Sequence, residues 1–324
     1  MQLNVYDENL TKKGTIFNWN SLFWEESYNG DGSFQLEIQQ SATAVDLFIP
    51  WRYVELIGRE TPMVIVSVQT RNGAILVNGF PATYILRHRT STKKINNVAA
   101  ELAIRELVSN MSPWNALSLG EEYGIEDIFE GEVSCTSVYE YCQTICKAVD
   151  MGFRIVKRNE NLLFECYKPS VNERAKYSTN YGNLGNICQT ISDVNYFNVV
   201  TVIGEDSNGA QILVQTGNVE STGSERHETI MEGDFLEENE TLDSYKKRLE
   251  EQGKASLAKQ TKINSITFTI DDNRAKLGDI ITVIIPDIGV SMAIRTTSYR
   301  IVNQDNKTSI TIGVGEPITK LRRG

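Results

Sequence analysis

Two cysteines four residues apart, Cys142 and Cys146, would put two thiols on one face of a helix and so supply half of a zinc site. Zinc needs four ligands, and no second cysteine pair and no His-x3-His completes the set, so buried thiols packing as small hydrophobes account for the pair. His227-Glu228-Thr229-Ile230 begins like a zincin helix, but the position that must be histidine is Met231, and Gly233 argues against a continuing helix. Asn29, Asp31 and Ser33 have the spacing of the start of a calcium loop. The twelfth position, which must be acidic, is Gln40, so a turn is the simpler reading. Asp271, Asp272 and Asp279 could act as paired glycosidase carboxylates if their spacing allowed it. Asp272-Asn273, however, falls where a turn should follow "SITFTI", and Gly278-Asp279 precedes a strand. The nucleophile elbow, the phosphate-binding loop and the dinucleotide fingerprint are all missing. Only two histidines, His88 and His227, are available as general bases. The residue types therefore predict no catalytic residue, no metal site and no cofactor.

The composition bounds what remains. At 324 residues, 40% hydrophobic and 23% charged with 7 prolines, the chain should be ordered throughout and divided into at least two domains. A net charge of −10 argues against nucleic-acid phosphates or anionic lipids as general partners. The start, "MQLNVYDENLTKKG", lacks the features of a secretory signal, and no stretch approaches the about 18 apolar residues of a membrane span. Folding in the cytosol is expected, with the odd set of 5 cysteines reduced and mostly buried.

The elements that must position any site are mostly strands. From residue 1 to about 90 the pattern is short strands, including "FQLEI" with one apolar face. Asn72-Gly73 between two apolar runs predicts a tight hairpin, because both turn residues need positive φ. From Ile95, "INNVAAELAIRELVSNM" has helical spacing at Val98, Leu102, Ile104 or Arg105, and Leu107–Val108. "SVYEYCQTICKAVDMG" predicts a second helix with Val138, Cys142, Ile145, Cys146 and Val149 on one face and Gly152 as its stop. A hairpin follows, turning at Asn159 to Asn161. Strands resume at Asn186, joined by an "EDSNG" turn. They are interrupted by a charged helix from Leu242 to Lys259 with Thr241 as N-cap, then continue to the end.

This order resembles a known family. "FWEESYNGDGSFQLEI", "IPWRYVELIG", "PMVIVSVQT", the Asn-Gly hairpin and "VNGFPATYILRHR" are similar to the N-terminal half of tail-tip hub proteins of long-tailed phages. The likeness includes a strand ending in glycine, a short apolar stretch and Arg-x-Arg, here Gly79, Leu86, Arg87 and Arg89. "LGDIITVIIPDIGVSMAIRTTSYRIV" and "TSITIGVG" resemble the closing barrel of the same proteins, the hub part that tail-associated lysins also carry. The resemblance covers most of the chain and rests on order and spacing.

It implies a β-rich α+β fold: two small tube-type β-barrels with an intervening α+β domain and a helical insertion in the second barrel. The expected boundaries are 1–90 for the first barrel, 91–185 for the α+β domain, 186–230 with 262–318 for the second barrel, and 231–261 for the insertion. It further implies a homotrimer forming a pseudo-sixfold ring between a hexameric tail tube, or distal tail protein ring, and a threefold central tip or spike protein. DNA would pass through only as cargo. The expected place is the virion tail tip, assembled in the host bacterial cytoplasm, without membrane binding of its own and without enzymatic activity.

Candidate subunit-interface residues are Arg87 and Arg89, which would share a strand face, and Trp19 and Trp24. Each has a plainer role: a solvated strand end for the arginines, a barrel plug for the tryptophans together with Phe23. The basic end "KLRRG" could dock or remain free, and the charged helix reads as a solvated face. The alternative function is a tail-associated cell-wall hydrolase degrading peptidoglycan. Lytic hubs carry such a domain as an extension, and the chain ends at Gly324, directly after the second barrel. A third class, a carbohydrate-binding adhesion module, would place aromatic platforms on exposed loops and fits an interrupted barrel poorly.

Overall fold

The computed structural model describes residues 1–237, 240–257, 260, 262–270, 274–305 and 307–317. It divides into two units, one of residues 1–188 with the chain from Ile266 onward, the other Gln189–Ser265.

The first unit opens with β1 (Leu3–Tyr6), β2 (Lys12–Ile16), β3 (Ser21–Ser27) and β4 (Ser33–Gln39), then the short helix α1 (Ala42–Leu47). β5 (Tyr53–Leu56), β6 (Met63–Arg71) and β7 (Ala74–Pro81) follow, and a 3-10 helix (Ala82–His88) closes the stretch. The hairpin between β6 and β7 turns at Asn72 and Gly73, with φ of 52° and 79°, as its two turn residues require. Gly79 on β7 allows a close approach: a Cβ there would lie 2.2 Å from the Val64 carbonyl, beside the register shift between Ile65 and Ser67.

Next come β8 (Ile95–Ala99), helix α2 (Ala100–Asn110), β9 (Leu117–Leu119), β10 (Ile128–Val133) and helix α3 (Val138–Ala148), then the hairpin of β11 (Gly152–Arg158) and β12 (Asn161–Tyr167). The helix expected from Ile95 starts five residues later, because Ile95 and Val98 pair with Val133 and Phe129 of β10. Leu102, expected on the apolar face, is 56% exposed, whereas Ile104, Leu107 and Val108 are buried as expected, with Ala103 beside them. α3 ends at Ala148 with Val149 as its C-cap, and the left-handed φ expected of Gly152 falls at Asp150, at 54°. Gly152 instead begins β11 beneath the Tyr167 ring, 2.4 Å from where its Cβ would stand.

The chain continues through β13 (Val171–Ser178), β14 (Gly185–Ser192), β15 (Val199–Glu205), β16 (Gln211–Gly217), β17 (Glu228–Glu232) and helix α4 (Leu242–Leu257). β18 (Ile263–Ile270), β19 (Ile280–Ile285), β20 (Val290–Gln304) and β21 (Lys307–Pro317) complete it. One sheet of 13 strands runs β14-β18-β21-β20-β3-β4-β7-β6-β5-β1-β2, with β19 on β20 and β13 on β19. β20 and β3 join the early and late strands, in register from Ser298 opposite Ser27 to Gln304 opposite Ser21. Alternation buries Leu22, Trp24, Phe34, Leu36, Tyr299 and Ile301 on one face. The other face carries polar pairs, Gln35 to Asn78 at 2.9 Å and Arg300 to Glu25 at 2.7 Å. A second core gathers Ile85, Leu86, Ile104, Cys142, Ile145, Phe153 and Phe164 around α2 and α3.

In the second unit β15 lies between β16 and β17 in a separate sheet of 3 strands. Its Val200 and Val202 pack with Tyr245 and Leu249 of α4. The sequence grouped residues 186–230 with 262–318 and set the helix apart. In the structure the strands of 199–232 go with the helix, whose apolar stripe needs their buried face.

Candidate functional site around Asp31, Arg87 and Tyr139

The turn Asn29–Gly32 before β4 is held by α3. The Tyr139 hydroxyl donates to Asp31 Oδ1 at 2.8 Å and lies 3.0 Å from the Gly30 carbonyl. Gln143 Nε2 donates to the Asn29 carbonyl at 2.9 Å, and Asn29 Nδ2 donates to the Met151 carbonyl at 2.7 Å. Asn29 is buried at a φ of 49°, which aims its amide inward and turns Asp31 outward. Calcium-loop geometry is thus replaced by a docked turn.

Arg87 pairs with Asp31 and lays its guanidinium 4.2 Å from the centroid of Tyr139. Burial, then the Asp31 carboxylate, pushes the Tyr139 phenol well above its ordinary pKa, so it remains a neutral donor. Phe80, Tyr84, Asp31, Arg87 and Tyr139 bound a cleft of about 340 Å³. Phe80 and Tyr84 are stacked at 4.7 Å. Tyr84 continues the aromatic surface to His88 at 5.0 Å and to Trp51 at 6.5 Å, and Trp51 meets Trp114 at 5.6 Å. Trp51 is 38% exposed at a φ of 71°, a conformation that bulky side chains rarely adopt and that is held by surrounding contacts.

Arg87 and Arg89 do not sit on a strand as expected. They end the 3-10 helix, because the chain turns after Pro81 and buries Ala82, Ile85 and Leu86 in its own core. Arg89 donates to the Ser112 carbonyl at 2.8 Å and the Pro113 carbonyl at 3.1 Å while lying over Trp114 at 4.5 Å. The two arginines therefore hold different loops. Trp24 has no exposed surface. It packs edge-on to Phe34 at 5.6 Å and donates to Glu26 Oε1 at 3.0 Å. Trp19 is half-buried and donates to Asn303 Oδ1 at 2.7 Å, tying the β2–β3 loop to the end of β20. Tyr139 and Trp51 were missed by sequence reasoning. The only local signal was Tyr84 and His88 four residues apart.

Of the other candidates, Asp279 is buried and accepts from Asn172 Nδ2 at 2.8 Å and the Lys276 amide at 3.2 Å, an anchoring role at a turn. Asp271, Asp272 and the end 320–324 lie outside the described residues. Cys142 and Cys146 are buried and unbridged, their thiol pKa values pushed well up by burial. Among the described residues no three His, Cys, Asp or Glu side chains gather as a metal site, and no helix is long and apolar enough to cross a membrane. His227 directly precedes β17 and Glu228 begins it, so the stretch is extended rather than helical.

Solved structures share this fold. The tail protein from Neisseria meningitidis MC58 matches at 13% identity and a TM-score of 0.58, over 97% of this chain and 96% of that one. The 43 kDa tail protein of prophage MuSo2 from Shewanella oneidensis matches at 12% identity and 0.59, over 98% and 97%. The prophage tail protein gp18 from Listeria monocytogenes EGD-e matches at 12% and 0.52, over 97% and 94%. No curated protein matches the sequence. The model of the Siphovirus ReqiPepy6 Gp37-like protein family matches residues 2–316, and the chain belongs to that family.

Proposed function

We propose that the chain is a structural tail protein, the hub of a tail tip or baseplate, assembling as a trimeric ring that adapts a sixfold tube to a threefold central tip and lines the DNA channel. The observation that carries this reading is the β3–β20 ladder, which joins strands of residues 3–81 and 263–317 into one sheet. Two tube-type barrels side by side in one chain would give six wall segments in three copies, which is how a threefold ring can meet a sixfold one.

Two further features support it. The face opposite the core carries Glu25, Gln35, Glu37, Asn78 and Arg300, a polar lining suited to passing DNA without retaining it. The sheet order ends in β2 and β14, and edges of this kind offer backbone groups for pairing between copies in a closed ring. The three tail proteins share the fold along nearly their whole lengths, and family membership points to the tail of a siphovirus particle. Its partners in that setting are two further copies, the tail tube or distal tail ring above and the central tip or spike protein below, with no catalytic task.

Electron microscopy of the purified protein, with its mass by light scattering at high concentration, tests the reading. A threefold ring with an open axial channel is the expected result. A monomer at every concentration that also clears cell-wall material would replace the hub with the hydrolase.

A further inference from the structure

We propose that the cleft beside Asp31, Arg87 and Tyr84 is a binding site for a neutral saccharide. Its walls are aromatic, with Phe80 stacked on Tyr84, and the buried Tyr139 contributes to the lining beneath the Arg87 guanidinium. A sugar ring presents a face of C–H groups, weakly positive, which the negative faces of aromatic rings attract, and a rim of hydroxyls that need partners. At the rim of this cleft stand one group that only accepts and one that only donates, the Asp31 carboxylate and the Arg87 guanidinium. Each hydroxyl of a sugar both donates and accepts, so neighbouring hydroxyls can engage both groups at once.

The charge balance selects a neutral ligand. An anion would face Asp31 and a cation would face Arg87, and the two side chains cancel. The Arg87 and Tyr139 contacts both fall on Oδ1 of Asp31, and among the described residues Oδ2 has no partner. Asp31 remains 65% exposed at its side chain. A proline-rich peptide also favours aromatic grooves, but its prolines have no N–H to offer Asp31.

The cleft is preformed. The turn that carries Asp31 is fixed at Asn29 and Gly30 by Gln143 and Tyr139 of α3, so binding would not have to order it. A volume of about 340 Å³ sits at the small end of ligand sites, suited to a ring or two. Trp51 and Trp114 extend the aromatic surface past Tyr84, along which a longer glycan could continue. None of these residues belongs to the β3–β20 ladder, so the cleft is separable from the assembly proposed above.

Saturation-transfer NMR of the full chain with glucose, galactose, rhamnose and N-acetylglucosamine, and with a proline-rich peptide as a competing probe, tests the assignment. The expected result is millimolar binding of at least one sugar, weakened about tenfold by Tyr84→Ala and by Asp31→Asn. If Tyr84→Ala fails to fold by circular dichroism, Asp31→Asn, which keeps the shape of the turn residue, decides alone. Absence of binding by all four sugars at high millimolar concentration, binding unchanged by Asp31→Asn, or occupation of the cleft by the peptide in preference to sugars would overturn it.

Discussion

Arg59 holds the buried carboxylate of Glu26, Nε to Oε1 at 2.6 Å, where Glu26 of β3 stands opposite Tyr299 of β20. The guanidinium also covers the Tyr299 ring at 4.1 Å, and Trp24 Nε1 donates to the same carboxylate oxygen. One ion pair thus anchors the loop after β5 to the seam of the sheet.

Removing half of that pair should be costly. Arg59→Ala leaves a buried carboxylate without its cation and is expected to lower stability by about 3–5 kcal/mol in urea unfolding. The double change Arg59→Met with Glu26→Gln, which removes both charges, should lose clearly less. Equal losses would show that the guanidinium acts by packing rather than by charge.

Glu101, buried in the first turn of α2, accepts the backbone N–H groups of Tyr123, Gly124 and Ile125 at 2.7, 2.9 and 2.7 Å. Glu101→Ala orphans these donors and is expected to cost on the order of 3 kcal/mol. Hydrogen exchange of the 120–127 peptide should accelerate more than exchange in β6 and β7. Uniform acceleration would mean that the loop and the core open together.

Burial, then the hydrogen bond to Glu55 at 2.6 Å, pushes the Tyr6 phenol up to about 12. The unfolded chain loses this proton near its ordinary value of 10.0, before the folded chain does. The Tyr6 contribution is therefore complete below about pH 10 and is lost as the pH rises towards 12. Urea unfolding at successive alkaline pH values should show stability falling through this window, and Tyr6→Phe should make the fall shallower. An unchanged slope in the variant would assign the effect to other tyrosines, such as Tyr53, which burial also raises to about 12.

Alkylation followed by mass mapping should rank the thiols by exposure. Cys188 is exposed and Cys135 half-buried, whereas Cys142, Cys146 and Cys166 are buried. Burial raises the Cys166 thiol to about 12, and Cys142 and Cys146 are likewise pushed up, so few thiolates form at neutral pH. Cys188 is expected to react first and the buried three only in denaturant. Rapid labelling of Cys142 in the native protein would contradict the packing of α3.

The parts legible in the sequence are those whose cause is local. Asn72-Gly73 could be assigned because both positive φ angles are demanded within two residues, and α3 because its buried side chains recur at helical spacing. The start of α2 was not legible: Ile95 to Ala99 is extended because its partner strand lies near residue 130, and the helical spacing of Val98 gave no hint of that strand. The Arg87–Arg89 alternation misled for a similar reason, since the strand had already ended at Pro81.

The sequence by itself determined the β-rich character, the late helix, the hairpin turns and the resemblance to tail hubs, because alternation, capping and turn chemistry act over a few residues. The tertiary structure alone decided that β3 lies against β20, that the strands of 199–232 pack with α4, and that Asp31 meets Tyr139 across a separation of 108 residues. Such pairings depend on which buried faces can be satisfied together, a condition on the whole chain that no short window of residues contains.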